Sequence, residues 1–343
     1  MINDTYFHDT HISMKHGAGG QASRRLVESL FTPAFANDTL NALGDAAVLN
    51  ANGKRLAFST DTFVVSPHTF AGGCIGSLAV HGTINDLAVS GAEPLGLSAG
   101  FILEAGLESE SLRVQVEAMA QAARYAGVSI VTGDTKVVEH GQADGLYINT
   151  TGIGFVRDDT NLCPNRVEPS DAVLVSGPIG DHGITILLAR GEIDLEADLA
   201  SDSRSVLPLT SALLDALGTK VRWMRDATRG GLATVLNELV TDRNIGVELI
   251  EDSIPVRPAV RGASELLGLD PLHIANEGQF VAIVAGDQAQ RALKAIHAIP
   301  GGEEARLIGS VTQDHAGRVV GKSSFGSRRV IDVLVGDPLP RIC

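Results

Sequence analysis

Four short motifs in the first half of the chain each set an aspartate among small neighbours at a strand end or inside a helix: GDAAV with Asp45, STDTF with Asp61, INDLA with Asp86 and GDTK with Asp134. Carboxylates on separate elements that converge can hold magnesium, a hard ion that prefers oxygen ligands and bridges phosphate oxygens. A single aspartate of this kind is ordinarily a cap or turn residue, because its side chain supports turns. Four of them favour a shared ion. The run VTGDTKVV adds Lys136, two residues past Asp134 and on the same face of an extended chain, where it either neutralises a phosphate or forms an exposed ion pair. In the second half, RDATRGGLATVL sets Asp226 and Arg229 before two glycines and a helix, which suits a bound anion as well as plain helix capping. HIANEGQF puts Glu277 at the mouth of a strand, where an acid acts as a base, orients an amide or is simply structural. The sequence ends VGDPLPRIC, leaving the thiol of Cys343 on a short segment with Pro338 and Pro340 and no evident place in a core.

Other chemistries find little support. The chain has neither GxxxxGK[ST] nor a GxGxxG after a strand, so a Walker or Rossmann nucleotide site is not expected. Cys74, Cys163 and Cys343 are scattered, odd in number and without a CxxC pair, which argues against a disulfide framework or a zinc site and for three reduced thiols. His8, His11, His16, His81 and His273 show no metal-ligand spacing. The formal net charge of −14 comes with no basic block, so neither nucleic acid nor an anionic membrane surface is an expected partner. The polar start MINDTYFHDT lacks a signal-peptide pattern, and no apolar run approaches the roughly 20 residues of a membrane span, so a cytoplasmic protein is expected. The 38 glycines exceed the usual share, and many stand beside Asp, Asn or Thr, as loops that approach a polar ligand require.

The elements that must position these residues are readable in outline. With 343 residues and 44% hydrophobic content, two folded domains are expected. An arm at 1–40 carries a glycine loop and a helix over about Ser23 to Phe31, with Leu26, Val27 and Leu30 on one side. A first domain at 41–160 has strands at AAVLN, RLAFST, LGLSAGFIL, VSIVTGD and LYINTTGIGFV, and helices over Ile75–Ser90 and Ser111–Ala126. Turn residues in DDTNLCPNRVEPSD mark the boundary. A second domain at 166–330 has strands at AVLVSG, GVELI, QFVAIVA and ARLIGSV, and helices after PIGDHG and over Val206–Ala216, Gly231–Thr241 and Ala259–Leu267. A tail at 331–343 carries Cys343. The class is α+β, two related α/β sandwiches.

Taken together, HGAGG, GDAAV, STDTF, INDLA, VTGDTKVV, RDATRGG, ANEG and the final PRIC closely resemble the HypE family of hydrogenase maturation proteins. That family lies in the PurM-like superfamily of ATP-using enzymes, with aminoimidazole ribonucleotide synthetase, selenophosphate synthetase and thiamine monophosphate kinase. The resemblance runs from Lys15 to Cys343. The aspartates carry the superfamily and the tail carries the family. It implies two PurM-like domains, a homodimer whose N-terminal domains pair into a shared barrel, and ATP with Mg2+ as cofactors. It further implies that Cys343 accepts a carbamoyl group from a HypF-like carbamoyltransferase and that ATP-driven dehydration turns this into a thiocyanate. The cyanide is then passed on through a HypC–HypD-like iron-carrying assembly complex to a nickel-iron hydrogenase. On this reading Asp45, Asp86 and Asp226 hold the metal, Asp61, Asp134 and Arg229 surround the nucleotide phosphates, Lys136 is the direct cation, and Glu277 orients or deprotonates the amide. Pro338 and Pro340 limit the tail's conformations and so lower the ordering cost of docking it. Two other readings remain open at this level: a related kinase or synthetase in which Cys343 is incidental, and a non-catalytic nucleotide-binding scaffold.

Overall fold

The computed structural model describes residues 7, 9–17, 20–192, 197–334, 339 and 341–343. Pro338 and Pro340, His8, and Ala18 and Gly19 of the HGAGG loop lie outside the described residues. The arm is a succession of short helical turns, Gln21–Leu26, Val27–Phe31 and Thr32–Phe35, in place of the single expected helix. Of the residues in these three turns Leu26 is buried, while Leu30, Phe31 and Phe35 are exposed, because the arm lies on the surface of the second domain and has no core of its own.

The first domain is built on a five-stranded sheet. Its strands are β1 (Ala47–Ala51), β2 (Lys54–Phe63), β3 (Ala92–Glu104), β4 (Ile130–Val138) and β5 (Leu146–Val156), in the order β1-β2-β5-β3-β4. All neighbours are antiparallel except β3 and β4. Period-2 alternation sets the faces: Ala57, Ser59 and Phe63 of β2 are buried under the helices, as are Leu146, Ile148 and Thr150 of β5. Those helices are α1 (Ile75–Val89) and α2 (Ser109–Tyr125). α1 is buried almost all round, because it packs against the sheet, α2 and the second domain together. The opposite face of the sheet carries exposed Leu49, Phe58, Ile102 and Phe155, and β4 is exposed along nearly its whole length.

The second domain holds a seven-stranded sheet of β6 (Ala172–Val175), β7 (Val221–Asp226), β8 (Gly246–Ile250), β9 (Phe280–Val284), β10 (Arg306–Thr312), β11 (Val319–Lys322) and β12 (Arg328–Ile331). The order is β12-β11-β8-β10-β6-β9-β7. Helices α3 (Asp181–Ala189), α4 (Leu207–Leu217), α5 (Gly231–Val240), α6 (Pro258–Leu267) and α7 (Ala289–His297) surround it. One apolar cluster joins α5 to one face of the sheet and another joins α4 and α7 to the opposite face, so this sheet is covered on both sides. A third cluster crosses the domain boundary and takes in Leu339 and Ile342 of the tail. Among the described residues, no helix is long and apolar enough to cross a membrane.

Candidate active site

β2 sends Ser59 and Asp61 inward from alternate positions, and α1 presents Thr83 and Asp86 to them. The Thr83 hydroxyl donates to Asp61 at 3.3 Å and exchanges a hydrogen bond with Thr150 at 2.6 Å, while Ser59 donates to Asp86 at 2.5 Å. Asp45 arrives from the turn before β1, where Leu43 takes a left-handed conformation with φ 48°. Asp226 ends β7 and pairs with Phe280 of β9, bringing the second domain to the same point. Ligand oxygens of Asp45, Asp86 and Asp226 all lie within 4.8 Å of one another.

Three carboxylates so close together repel. Burial pushes Asp86 well above the usual carboxylate range, and the charges of Asp61, Asp226 and Asp45 push it further. Asp226 is raised by burial and then by Asp45, against the pull of Arg225 and Arg229. Burial pushes Asp45 up to about 6, with Arg225 opposing through a 2.5 Å ion pair. Asp61 is raised by burial, with Arg229 opposing. A cluster of oxygen donors whose negative charge is only partly offset fits a hard divalent cation such as magnesium, and the absence of sulfur or nitrogen donors suits it over zinc.

Arg229 stands at the solvent-facing rim of this cluster and donates to the backbone oxygen of Gly17 in the arm at 3.2 Å. It is placed there by a glycine turn: Gly231 has φ 59°, and a Cβ at that position would sit 2.5 Å from the backbone oxygen of Ile274. Glu277, 3% exposed, follows on the loop before β9. Its carboxyl is raised well above the ordinary value by burial, then by the charges of Asp226 and Asp202, and its Oε1 has no hydrogen-bond partner.

The tail reaches the same place. The backbone oxygen of Cys343 accepts from the Val64 amide at 2.9 Å, three residues past Asp61. Leu339 and Ile342 are 2% and 3% exposed. Arg229 and Cys343 line one cavity of about 520 Å³ with Thr62, Val64 and residues of the arm, and Cys343 is the largest contributor to the raised pKa of Arg229.

Asp134 and Lys136 are not brought to this cluster within one chain. In the cross-sheet row from Asp61 through Thr150 and Ala99 to Gly133, β4 lies three strand spacings away, roughly 14 Å. Their pairing with Gly100 and Ile102 also places both on the opposite, uncovered face of the sheet. There they form a 2.7 Å ion pair, and Lys136 with the Thr135 amide lowers the Asp134 pKa. Cys74 is buried at the start of α1 and Cys163 is partly buried in the connection to β6. Sequence reasoning passed over Ser59, Arg225, Asn85, His182 and Asp202. Ser59, Asn85 and Arg225 stood inside motifs already singled out, whereas His182 and Asp202 act through contacts with Ile342 and Glu277, across long sequence separations that no local pattern announces.

The two domains and the acidic cleft between them define an AIR synthase related protein: residues 43–156 match the family's N-terminal domain and residues 168–322 its C-terminal domain. The carbamoyl dehydratase HypE of Azotobacter vinelandii is 49% identical over 332 residues, covering 97% of both chains. A HypE–HypF complex superimposes with a TM-score of 0.86 at 41% identity, over 90% of this chain and 99% of that one. A HypE in complex with ATP gives 0.80 at 45% identity, over 97% and 100%. The chain belongs to the HypE family of carbamoyl dehydratases.

Proposed function

We propose that this chain accepts a carbamoyl group on Cys343 from a HypF-like carbamoyltransferase, dehydrates it with ATP to a thiocyanate, and supplies the cyanide through a HypC–HypD-like complex for the iron of a nickel-iron hydrogenase. The observation that carries the reading is the seating of Cys343 in one cavity with Arg229, beside the carboxylate cluster. The setting is cytoplasmic.

Hydroxide is a poor leaving group. Asp45, Asp86 and Asp226 would hold magnesium, which would offset charge on ATP; the ATP γ-phosphoryl group passes to the carbonyl oxygen, ADP departs, and that oxygen becomes a leaving phosphate. The carbon–oxygen bond then breaks with its electron pair going to phosphate, and both N–H protons leave the nitrogen as the C≡N bond forms, one to Glu277 and one to the departing phosphate. Arg229 offsets anionic charge beside the thiol sulfur. Glu277 is the base: burial strengthens its carboxylate as a proton acceptor, and the unpartnered Oε1 is free to take the amide proton. Asp61 holds Thr83 and the rim of the cluster in place.

Lys136 has no route to this site within its own chain. We assign it to the site of a second copy in a homodimer, formed when the apolar face carrying Phe58, Ile102 and Phe155 is covered by its counterpart. Asp134 then fixes the Lys136 side chain through their ion pair.

The test is the mass of the tail peptide after carbamoylation and addition of ATP. Wild type is expected to lose the mass of one water, whereas a folded Cys343→Ser protein forms neither adduct and Cys74→Ser and Cys163→Ser behave as wild type. ATP hydrolysis should depend on a carbamoylated Cys343. Hydrolysis independent of that group would favour a related kinase, and binding without hydrolysis would favour a scaffold.

A further inference from the structure

His182, on α3, is fully buried, and its ring joins the tail to the second domain's interior. Nε2 lies 2.7 Å from the backbone oxygen of Ile342, next to the reactive cysteine, and Nδ1 lies 2.7 Å from the Ser201 hydroxyl. A carbonyl only accepts, so Nε2 carries the proton and Nδ1 accepts from Ser201. Phe70 packs edge-on against the ring, with centroids 5.6 Å apart, and fixes its plane. Ser201 in turn accepts from the Ser203 amide at 3.1 Å, which shapes the segment between them around Asp202.

Asp202 holds the loop of the base. Its two carboxylate oxygens accept from the backbone amides of Glu277 at 3.0 Å and Gly278 at 3.3 Å. The two segments touch along their backbones, for a Cβ at Gly278 would sit 1.8 Å from the Asp202 carbonyl oxygen. Asn85 closes the same unit from α1, donating to the carbonyls of Arg204 and Glu277 and accepting from the Val206 amide. The metal helix, the tail and the Glu277 loop thus meet on residues 201–206.

We infer that His182 is a positioning residue that couples the seating of the tail to the placement of Glu277, through Ser201 and Asp202. A tail that leaves to meet another protein strips Nε2 of its acceptor and loosens the Ser201 contact. A tail that returns restores the ring's orientation and with it the loop of the base. The inference rests on the proposed roles of Cys343 and Glu277, and it adds that Glu277 is fully set only when the tail is home.

Two substitutions separate the two ends of the relay. In His182→Gln the side-chain amide can replace Nε2 toward Ile342 but offers nothing at the Nδ1 position. In His182→Asn the reverse holds. Full-length proteins are compared by two measurements: the rate at which N-ethylmaleimide modifies Cys343, which reads seating, and the rate of thiocyanate formation from protein S-carbamoylated at Cys343, at saturating ATP. His182→Gln is expected to keep the alkylation rate within about twofold of wild type while dehydration slows about tenfold, the scale of one buried hydrogen bond. The KM for ATP should not change. His182→Asn should raise alkylation about tenfold. Asp202→Asn, which replaces one acceptor oxygen with a donor, should reproduce the His182→Gln pattern. Dehydration at the wild-type rate in both His182→Gln and Asp202→Asn would overturn the relay, as would dehydration that simply tracks alkylation across the set. Failure of the wild-type protein to make thiocyanate would instead overturn the proposed function.

Discussion

The interdomain cleft and the β4 edge hold the same residue types in opposite circumstances. In the cleft, Asp45, Asp86 and Asp226 share a few ångströms of largely buried space, and burial with mutual repulsion drives their pKa values up. At the edge, Asp134 stands in solvent, paired with Lys136, and its pKa is lowered. The cleft therefore stores unfavourable charge that a cation relieves, whereas the edge is already neutralised. Proximity to a glycine in a similar motif says nothing about which situation an aspartate meets.

The largest effect should come from the cleft. Asp86→Asn removes a metal ligand and is expected to lower ATP turnover by at least about 100-fold, the scale of losing one electrostatic contact in a transition state. Because it also removes a repelling charge, the metal-free variant should melt no lower than metal-free wild type. A folded Asp86→Asn enzyme with near-normal turnover would end the assignment of the cluster. Asp134→Asn, by contrast, should change metal binding little.

Lys136→Ala sharpens the comparison from the other side. It should leave carbamoylation intact while the carbamoyl adduct persists with ATP present. If Lys136 serves the site of a second copy, mixing Lys136→Ala with Asp86→Asn should restore roughly a quarter of wild-type activity, since half of the dimers are mixed and each of those has one intact site. No recovery on mixing, with subunit exchange verified, would place the lysine in its own chain's chemistry or outside the reaction.

A smaller effect follows from the raised pKa values. Carboxyls whose folded pKa lies above the unfolded value bind more protons when folded, so their contribution to stability falls as pH rises from about 4 through about 6, the value reached by Asp45. Magnesium must displace those protons, so its affinity should rise over the same window, with proton release measurable by calorimetry in buffers of different ionisation enthalpy. The buried His182, lowered to about 4, titrates with the opposite sign, since the unfolded state takes up its proton first as pH falls below 6.5. The metal-dependent difference separates the two. A pH-independent magnesium affinity between pH 5 and 7 would show that the cluster carboxyls are already ionised.

Much of this arrangement was legible in the sequence because it was local. Strand alternation in β2 and β5 and the apolar run of α1 announced their elements, and the carboxylates stood at their ends. β7 was missed, since Arg222 and Arg225 interrupt its apolar pattern, and those arginines are tied to Asp171 and Asp45 by the tertiary fold. The separation of Asp134 from the other aspartates was equally hidden. Motif spacing gives the element, but strand order and face parity decide the neighbourhood. The seat of the tail, with His182 and Asp202, joins residues more than 70 positions apart.

The nine residues of β4 also pose a problem of solution behaviour. An edge strand with one unpaired row of backbone groups and an uncovered face is a template for another strand. Exposed charges at its centre, Asp134 and Lys136, discourage indiscriminate strand addition. Replacing both with apolar residues should therefore turn a freshly synthesised chain toward aggregation even where the folded protein is no less stable, so the yield of soluble protein, more than its melting temperature, would record the change.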